Sequence, residues 1–243
     1  MRFDVVTLFP EIFGGFLATS FVGRALEGGQ MSLRTRSPRD FGLGKHRSVD
    51  DTPYGGGSGM VMRVDVLVAT MESLDADAPG GVRARRVLLT PQGRVLDQAG
   101  VEAVAGRDAV MLVCGRYEGF DERIRSHVDE EVSLGDFVMT GGEVAAMAIV
   151  DACSRLLPGV LGNEASTIDE SHSPATGGLL EYAHYTRPAE FRGVRVPEIL
   201  AGGNHAEIAR WRRDQATART KERRPDLWER FARRRTAESG GDR

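Results

Sequence analysis

Ala109-Val110-Met111-Leu112-Val113-Cys114-Gly115-Arg116-Tyr117-Glu118-Gly119 is the stretch that decides the fold class. Its first six residues are apolar without alternation, and a turn framed by two glycines follows. A strand with one wet face alternates polar and apolar residues. A short unbroken apolar run ending at turn residues instead reads as a strand covered on both faces, as in a parallel sheet flanked by helices.

The same alternation of elements extends outward in both directions. Upstream, Arg86–Thr90 reads as a buried strand ending at Pro91-Gln92-Gly93, and Leu96–Ala105 as the helix after it. Downstream, Phe120–Val128 reads as a helix, Val132–Met139 as a strand interrupted by Gly135-Asp136, and Glu143–Leu157 as a long apolar helix stopped by Pro158-Gly159. Toward the N-terminus come a strand over Phe3–Phe9, a helix over Glu11–Leu26, a strand over Met31–Thr35 and a helix over Val64–Leu74. Ser37–Gly59 has no periodicity and reads as a long loop containing Tyr54-Gly55-Gly56-Gly57-Ser58-Gly59. Strands alternating with helices predict an α/β protein with a mainly parallel sheet. Ligands of such sheets bind outside the carboxyl ends of the strands. That places the candidate site at three glycine-bearing turns: Pro91-Gln92-Gly93, Gly115–Gly119 and Gly141-Gly142.

Length and composition bound the remainder. The chain has 243 residues, 41% hydrophobic and 28% charged, enough for one large domain with an appendage and too apolar for disorder. No apolar run approaches the ~18 residues of a membrane span, and Met1-Arg2-Phe3-Asp4 leads into a strand without a signal-peptide core, so no membrane association and a cytoplasmic location are expected. The formal net charge of -3 is an average of unlike parts: residues 1–203 carry 20 basic against 28 acidic side chains, and residues 204–243 carry 12 against 7. Residues 159–178 lose periodicity and are polar, and Ala206–Arg235 is helical in pattern and rich in arginine. The expected organisation is a ligand-binding domain over 1–160, a flexible linker over 161–178 and a basic, helical unit over 179–243.

Several chemistries are excluded by missing motifs. No G-x-G-x-x-G, P-loop, G-x-S-x-G, H-E-x-x-H or C-x-x-C pattern occurs, which argues against dinucleotide, nucleoside triphosphate, hydrolase and zinc sites. What is left is the cluster of glycine turns. Glycine lets a ligand approach the backbone closely, so that amides and carbonyls read it without side chains.

Seven separated motifs then fall into one register: Tyr54–Met60, Thr90–Arg94, Cys114–Gly119, Ser133–Val138, Gly141-Gly142-Glu143, Tyr185-Thr186-Arg187-Pro188 and Gly203–Ile208. In this order they resemble the bacterial tRNA (guanine-N1)-methyltransferase family, of the knotted α/β (SPOUT) class, from Phe9 to about Pro225. The resemblance implies a parallel sheet with a deep trefoil knot at the cofactor site, a small mainly helical C-terminal domain over 179–243 that binds tRNA, and a homodimer. It implies transfer of a methyl group from S-adenosylmethionine to N1 of the guanosine immediately 3′ of the anticodon, position 37 of tRNA. Against the cofactor it places Gly115, Leu134, Gly135, Asp136, Phe137, Val138 and Met139, with Pro91, Gly141 and Gly142 lining the site. Arg155 corresponds to the family's arginine, which would hold charge developing at guanine O6. The general base corresponds to Asp169 or Glu170 in the linker. Mg²⁺ assistance would act through the RNA or a few carboxylates, since the sequence shows no metal cage. Two other readings fit parts of the sequence: a non-catalytic tRNA-binding protein, and an S-adenosylmethionine-dependent methyltransferase of another RNA or of a small molecule.

Overall fold

The computed structural model describes residues 1–162 and 168–240, so residues 163–167 of the predicted linker and the last three residues lie outside it. The chain divides into two compact units, Met1–Gly162 and Asn163–Arg243.

The first unit is built on a five-stranded sheet in the order β2-β1-β6-β5-β7. Its strands are β1 (Arg2–Val6), β2 (Ser32–Arg36), β5 (Arg85–Val95), β6 (Ala109–Cys114) and β7 (Glu130–Ser133), and every pairing in it is parallel. Central β6 is buried at all six positions. Val110, Leu112 and Cys114 pack into one core with residues of α2 (Ser20–Glu27), α4 (Gln98–Ala105) and α5 (Glu143–Ser154). Ala109, Met111 and Val113 pack into a second core with Val66, Leu67, Met71 and Leu74 of α3 (Val64–Ala76). Two covered faces are the physical reason that this strand is apolar throughout. Full burial of each large side chain contributes about 1.5–3 kcal/mol.

One carboxylate is buried within the sheet. Asp4 is wholly inaccessible and lies between Arg2 Nε at 3.1 Å and Arg34 Nε at 2.7 Å. The hydrogen bond to Asp4 raises the Arg34 pKa further above its already high value.

Several predicted boundaries move. The helix expected over Glu11–Leu26 is divided into a 3-10 turn at Pro10–Ile12, α1 (Phe13–Leu17) and α2. The break falls at Ala18-Thr19, where Thr19 Oγ1 donates to the Gly15 carbonyl and Ser20 takes φ +55°. Phe120–Val128 is a 3-10 helix over Glu122–His127, capped by Asp121 accepting from Arg123 N, with Ile124 its one buried residue. A single buried anchor leaves too little apolar face to hold a longer helix. The strand expected over Val132–Met139 stops at Ser133, whose Oγ donates to the Gly135 carbonyl and turns the chain out of the sheet. The loop expected over Ser37–Gly59 contains a 3-10 helix, Pro38–Phe41, and β3 (Asp50–Asp51), which pairs antiparallel with β4 (Val61–Met62).

The second unit contains α6 (His205–Arg223), α7 (Pro225–Gly240) and a small hairpin of β8 (Glu190–Phe191) and β9 (Val194–Arg195). Thr220 of α6 is fully buried, and its Oγ1 accepts from Leu180 N at 2.9 Å. Ser171 Oγ accepts from Glu181 N, so the turns after residue 168 are tied to the segment that follows Leu179 in the same unit.

Candidate active site

The carboxyl ends of β5, β6 and β7 open into one cavity of about 300 Å³. Three segments wall it: Leu88–Gln92 from β5, Gly115–Arg125 after β6 without Arg123, and Val132–Ala145 from β7 into α5 without Asp136, Glu143 and Val144. Its size sits at the lower end of the range typical of small-molecule sites.

Each wall depends on a residue without a side chain. A Cβ on Gly142 would lie 2.7 Å from the Cα of Cys114, and one on Gly115 would lie 2.7 Å from the Phe120 ring. Gly142 N also donates to the Gly115 carbonyl at 3.0 Å, which brings two glycine turns into direct contact. The third turn differs from the strand end expected at Pro91-Gln92-Gly93. Leu89 pairs with Val132, the chain loops outward over Thr90–Gly93, and Arg94 returns to pair with the same Val132. Gly93 there lies flat against the backbone of Glu131 and Val132, where a Cβ has no room. Arg125 braces this loop, donating to Gln92 Oε1 and pairing with Glu131 and Glu122.

The hairpin of β3 and β4 is stitched to the middle wall through its backbone. Met62 N donates to the Gly119 carbonyl, Glu118 N to the Met60 carbonyl and Asp121 N to the Met62 carbonyl. The glycine-rich loop that ends this hairpin therefore adjoins the cavity, with Tyr54 fully exposed and Gly59 against the Glu118 side chain. Cys114, the last residue of β6, has its thiol pushed up well above its ordinary pKa, chiefly by burial and secondarily by Glu143.

Of the ten residues expected at the cofactor, nine line this one cavity: Pro91, Gly115, Leu134, Gly135, Phe137, Val138, Met139, Gly141 and Gly142. Asp136 is exposed and is not among the lining residues. Arg155 is the C-cap of α5, at the end of the helix away from the cavity. Asp169 is exposed and Glu170 half-buried, both in the second unit. The sequence pattern gives Arg116 and Arg125 no role of their own, and it shows Gly93 only as part of a turn at a strand end. Arg116 reaches Glu143 27 residues on and Gly93 rests on β7, neither with a local signal, while Arg125 pairs with nearby Glu122 but also reaches Gln92 33 residues back.

The cavity suits a nucleoside-type cofactor. Leu88, Leu89, Ile124, Val132 and Leu134 supply apolar walls for a flat ring, and Gly115, Gly119, Gly135, Gly141 and Gly142 line it without side chains. No group of three metal-ligating side chains forms among the described residues. No helix among them is long and apolar enough to cross a membrane.

Comparison with known proteins agrees with this geometry. Residues 1–230 match the family profile described as tRNA (Guanine-1)-methyltransferase TrmD. A tRNA (guanine-N(1)-)-methyltransferase of Sorangium cellulosum is 65% identical, over 94% of this chain and 93% of that protein. Proteins of the same name from Syntrophotalea carbinolica and Gloeobacter violaceus are each 53% identical, covering 95% and 93% of this chain and 91% and 98% of their own lengths. The match spans all three walls of the cavity and most of the second unit, and the chain belongs to the tRNA (guanine-1)-methyltransferase family.

Proposed function

We propose that the protein methylates N1 of the guanosine immediately 3′ of the anticodon, position 37, in tRNA. The observation that carries this reading is the single cavity formed by three glycine turns in a chain that belongs to this family. When bound there, S-adenosylmethionine would supply an electrophilic methyl group on a sulfonium. The backbone of Gly115, of Leu134–Met139 and of Gly141-Gly142, together with Pro91, would hold it. The looped path of Thr90–Gly93 and the close approach of Gly93 to Val132 support a deep trefoil knot in these segments.

Methylation at N1 also needs a base for the N1 proton and a cation for the charge that develops at O6. Asp169 or Glu170 would accept the proton, and the Arg155 guanidinium, always charged and forked, would donate to O6. Arg155 lies ten residues beyond Ala145, the residue of α5 that lines the cavity, so it stands about 15 Å along the helix from its own cavity. That exceeds the reach of an arginine side chain and supports a homodimer in which each cavity is completed by the partner. The second unit, with Arg210, Arg212, Arg213, Arg219, Lys221, Arg223 and Arg224 on α6 and its end, would hold the tRNA backbone.

The test is incubation with labelled S-adenosylmethionine and unmodified tRNA transcripts that carry or lack guanosine 3′ of the anticodon. Label should enter only the guanosine-bearing transcripts. Binding of tRNA without label in either would instead favour a non-catalytic RNA-binding protein.

A further inference from the structure

One buried carboxylate ties two walls of the cavity to each other and to the first strand. Glu143 opens α5 immediately after Gly141-Gly142 and is only 1% exposed. Its Oε1 accepts from Thr7 Oγ1 at 2.8 Å. Its Oε2 accepts from Arg116 Nε at 3.0 Å, with Arg116 Nη2 at 2.8 Å. Arg116 belongs to the turn after β6, donates from Nη1 to the Thr140 carbonyl at 3.2 Å, and lies over the Phe9 ring with its guanidinium carbon 4.5 Å from the centroid. Thr7 Oγ1 in turn accepts from Phe9 N at 3.0 Å. The guanidinium also fills the space in front of Gly141 that a Cβ would need.

Burying a carboxylate is costly, and a well-packed apolar side chain at the same place would avoid that cost. An apolar residue cannot supply direction. A forked guanidinium on a carboxylate fixes both distance and angle between the segments that carry them. Here those segments are the Gly115–Gly119 turn and the Thr140–Gly142 turn, two of the three cavity walls.

We infer that Glu143 is a positioning residue for the cofactor site, acting through Arg116 to hold these two turns at the separation that binds the cofactor. The inference rests on the assignment of the cavity to S-adenosylmethionine. It predicts that loss of the pair widens or skews the cavity and leaves recognition of tRNA by the second unit intact.

The experiment compares Glu143→Gln, Thr7→Val and Asp4→Asn in the full-length protein. Affinity for S-adenosylhomocysteine is measured by calorimetry, together with melting temperature and KM for each substrate. Asp4 is the matched control, because it is also a fully buried carboxylate paired with arginine but lies outside the cavity walls. Glu143→Gln should weaken S-adenosylhomocysteine binding about tenfold or more, as small misplacements of positioning groups do, with KM for tRNA unchanged. Thr7→Val should lose less, in the same direction. Asp4→Asn should lower the melting temperature and leave the affinity as it was. If Glu143→Gln lowers only the melting temperature, as Asp4→Asn does, Glu143 is merely structural and the inference falls. Should Glu143→Gln not fold, unchanged affinity in both Thr7→Val and Arg116→Lys overturns it equally. Failure of the unaltered protein to bind S-adenosylhomocysteine would overturn the cofactor assignment itself, which is a separate result.

Discussion

Gly142 and Gly14 make opposite demands on a methyl group. A Cβ on Gly142 would press on the Cys114 backbone at 2.7 Å, whereas one on Gly14, in α1, would meet nothing within 4 Å. Gly142→Ala should therefore lower both the melting temperature and the affinity for S-adenosylhomocysteine, because the Gly142–Gly115 contact shapes the cavity. Gly14→Ala should leave affinity unchanged and stabilise the fold by about 0.5–1 kcal/mol, since alanine loses less chain entropy in a helix. Calorimetry and denaturant unfolding on the two variants check both signs. The choice of base is also decided by single residues. Asp169→Asn and Glu170→Gln should differ greatly in single-turnover methylation, and the larger loss marks the base. One extra methylene shifts the carboxylate by about a bond length, which is enough to cost ~10²-fold. Equal small losses would exclude both.

Among the elements, β5 departs furthest from its expected form. The sequence shows an apolar strand and then Pro91-Gln92-Gly93, which reads as a strand end. The chain actually leaves the sheet and rejoins it one pairing later on the same partner residue, Val132. Gly93 permits this by lying on the backbone of β7, so Gly93→Ala should destabilise the fold by about 1–3 kcal/mol through overpacking, measurable in denaturant unfolding. Its loss should also exceed that of an alanine at Gly106, where the nearest atom to a Cβ is the Glu102 carbonyl oxygen at 3.5 Å. The other misread elements share a cause. Val132–Met139 has the β-branched, apolar composition of a strand, but the Ser133 hydroxyl bonds Gly135 and pulls Leu134–Met139 out to wall the cavity. Local propensity is weak there because the competing side-chain bond and the adjoining turns decide the path.

At the scale of the whole molecule, the position of Arg155 sets a clear test. A cavity at one end of α5 and its arginine at the other cannot serve each other within one chain, if Arg155 has the role proposed. Arg155→Leu and Gly142→Val should each abolish methylation alone. Mixed and reassembled, the two variants should recover activity, because a heterodimer contains one intact cavity facing one intact Arg155. Absence of any recovery, with heterodimers verified by tagged co-purification, would place Arg155 outside the partner's cavity. Charge is likewise organised at this scale. The excess of basic side chains in residues 204–243 lies on helices of the second unit, and the acidic excess falls in residues 1–203.

Local pattern carried the α/β class, the mainly parallel sheet and the double cover of β6, while nine of the residues that line the cavity were legible through the family resemblance. The pattern is local in two places: an unbroken apolar run marks a doubly covered strand, and glycine marks the three turns where the backbone lies open. Tertiary structure alone decided the return of β5 to Val132, the seating of Gly93 on β7 and the link from Thr7 through Glu143 to Arg116. Thr7 and Glu143 are 136 residues apart, and no periodicity or spacing relates them. A buried ion pair is selected by the geometry of the segments that meet around it, and that geometry exists only once the sheet has formed.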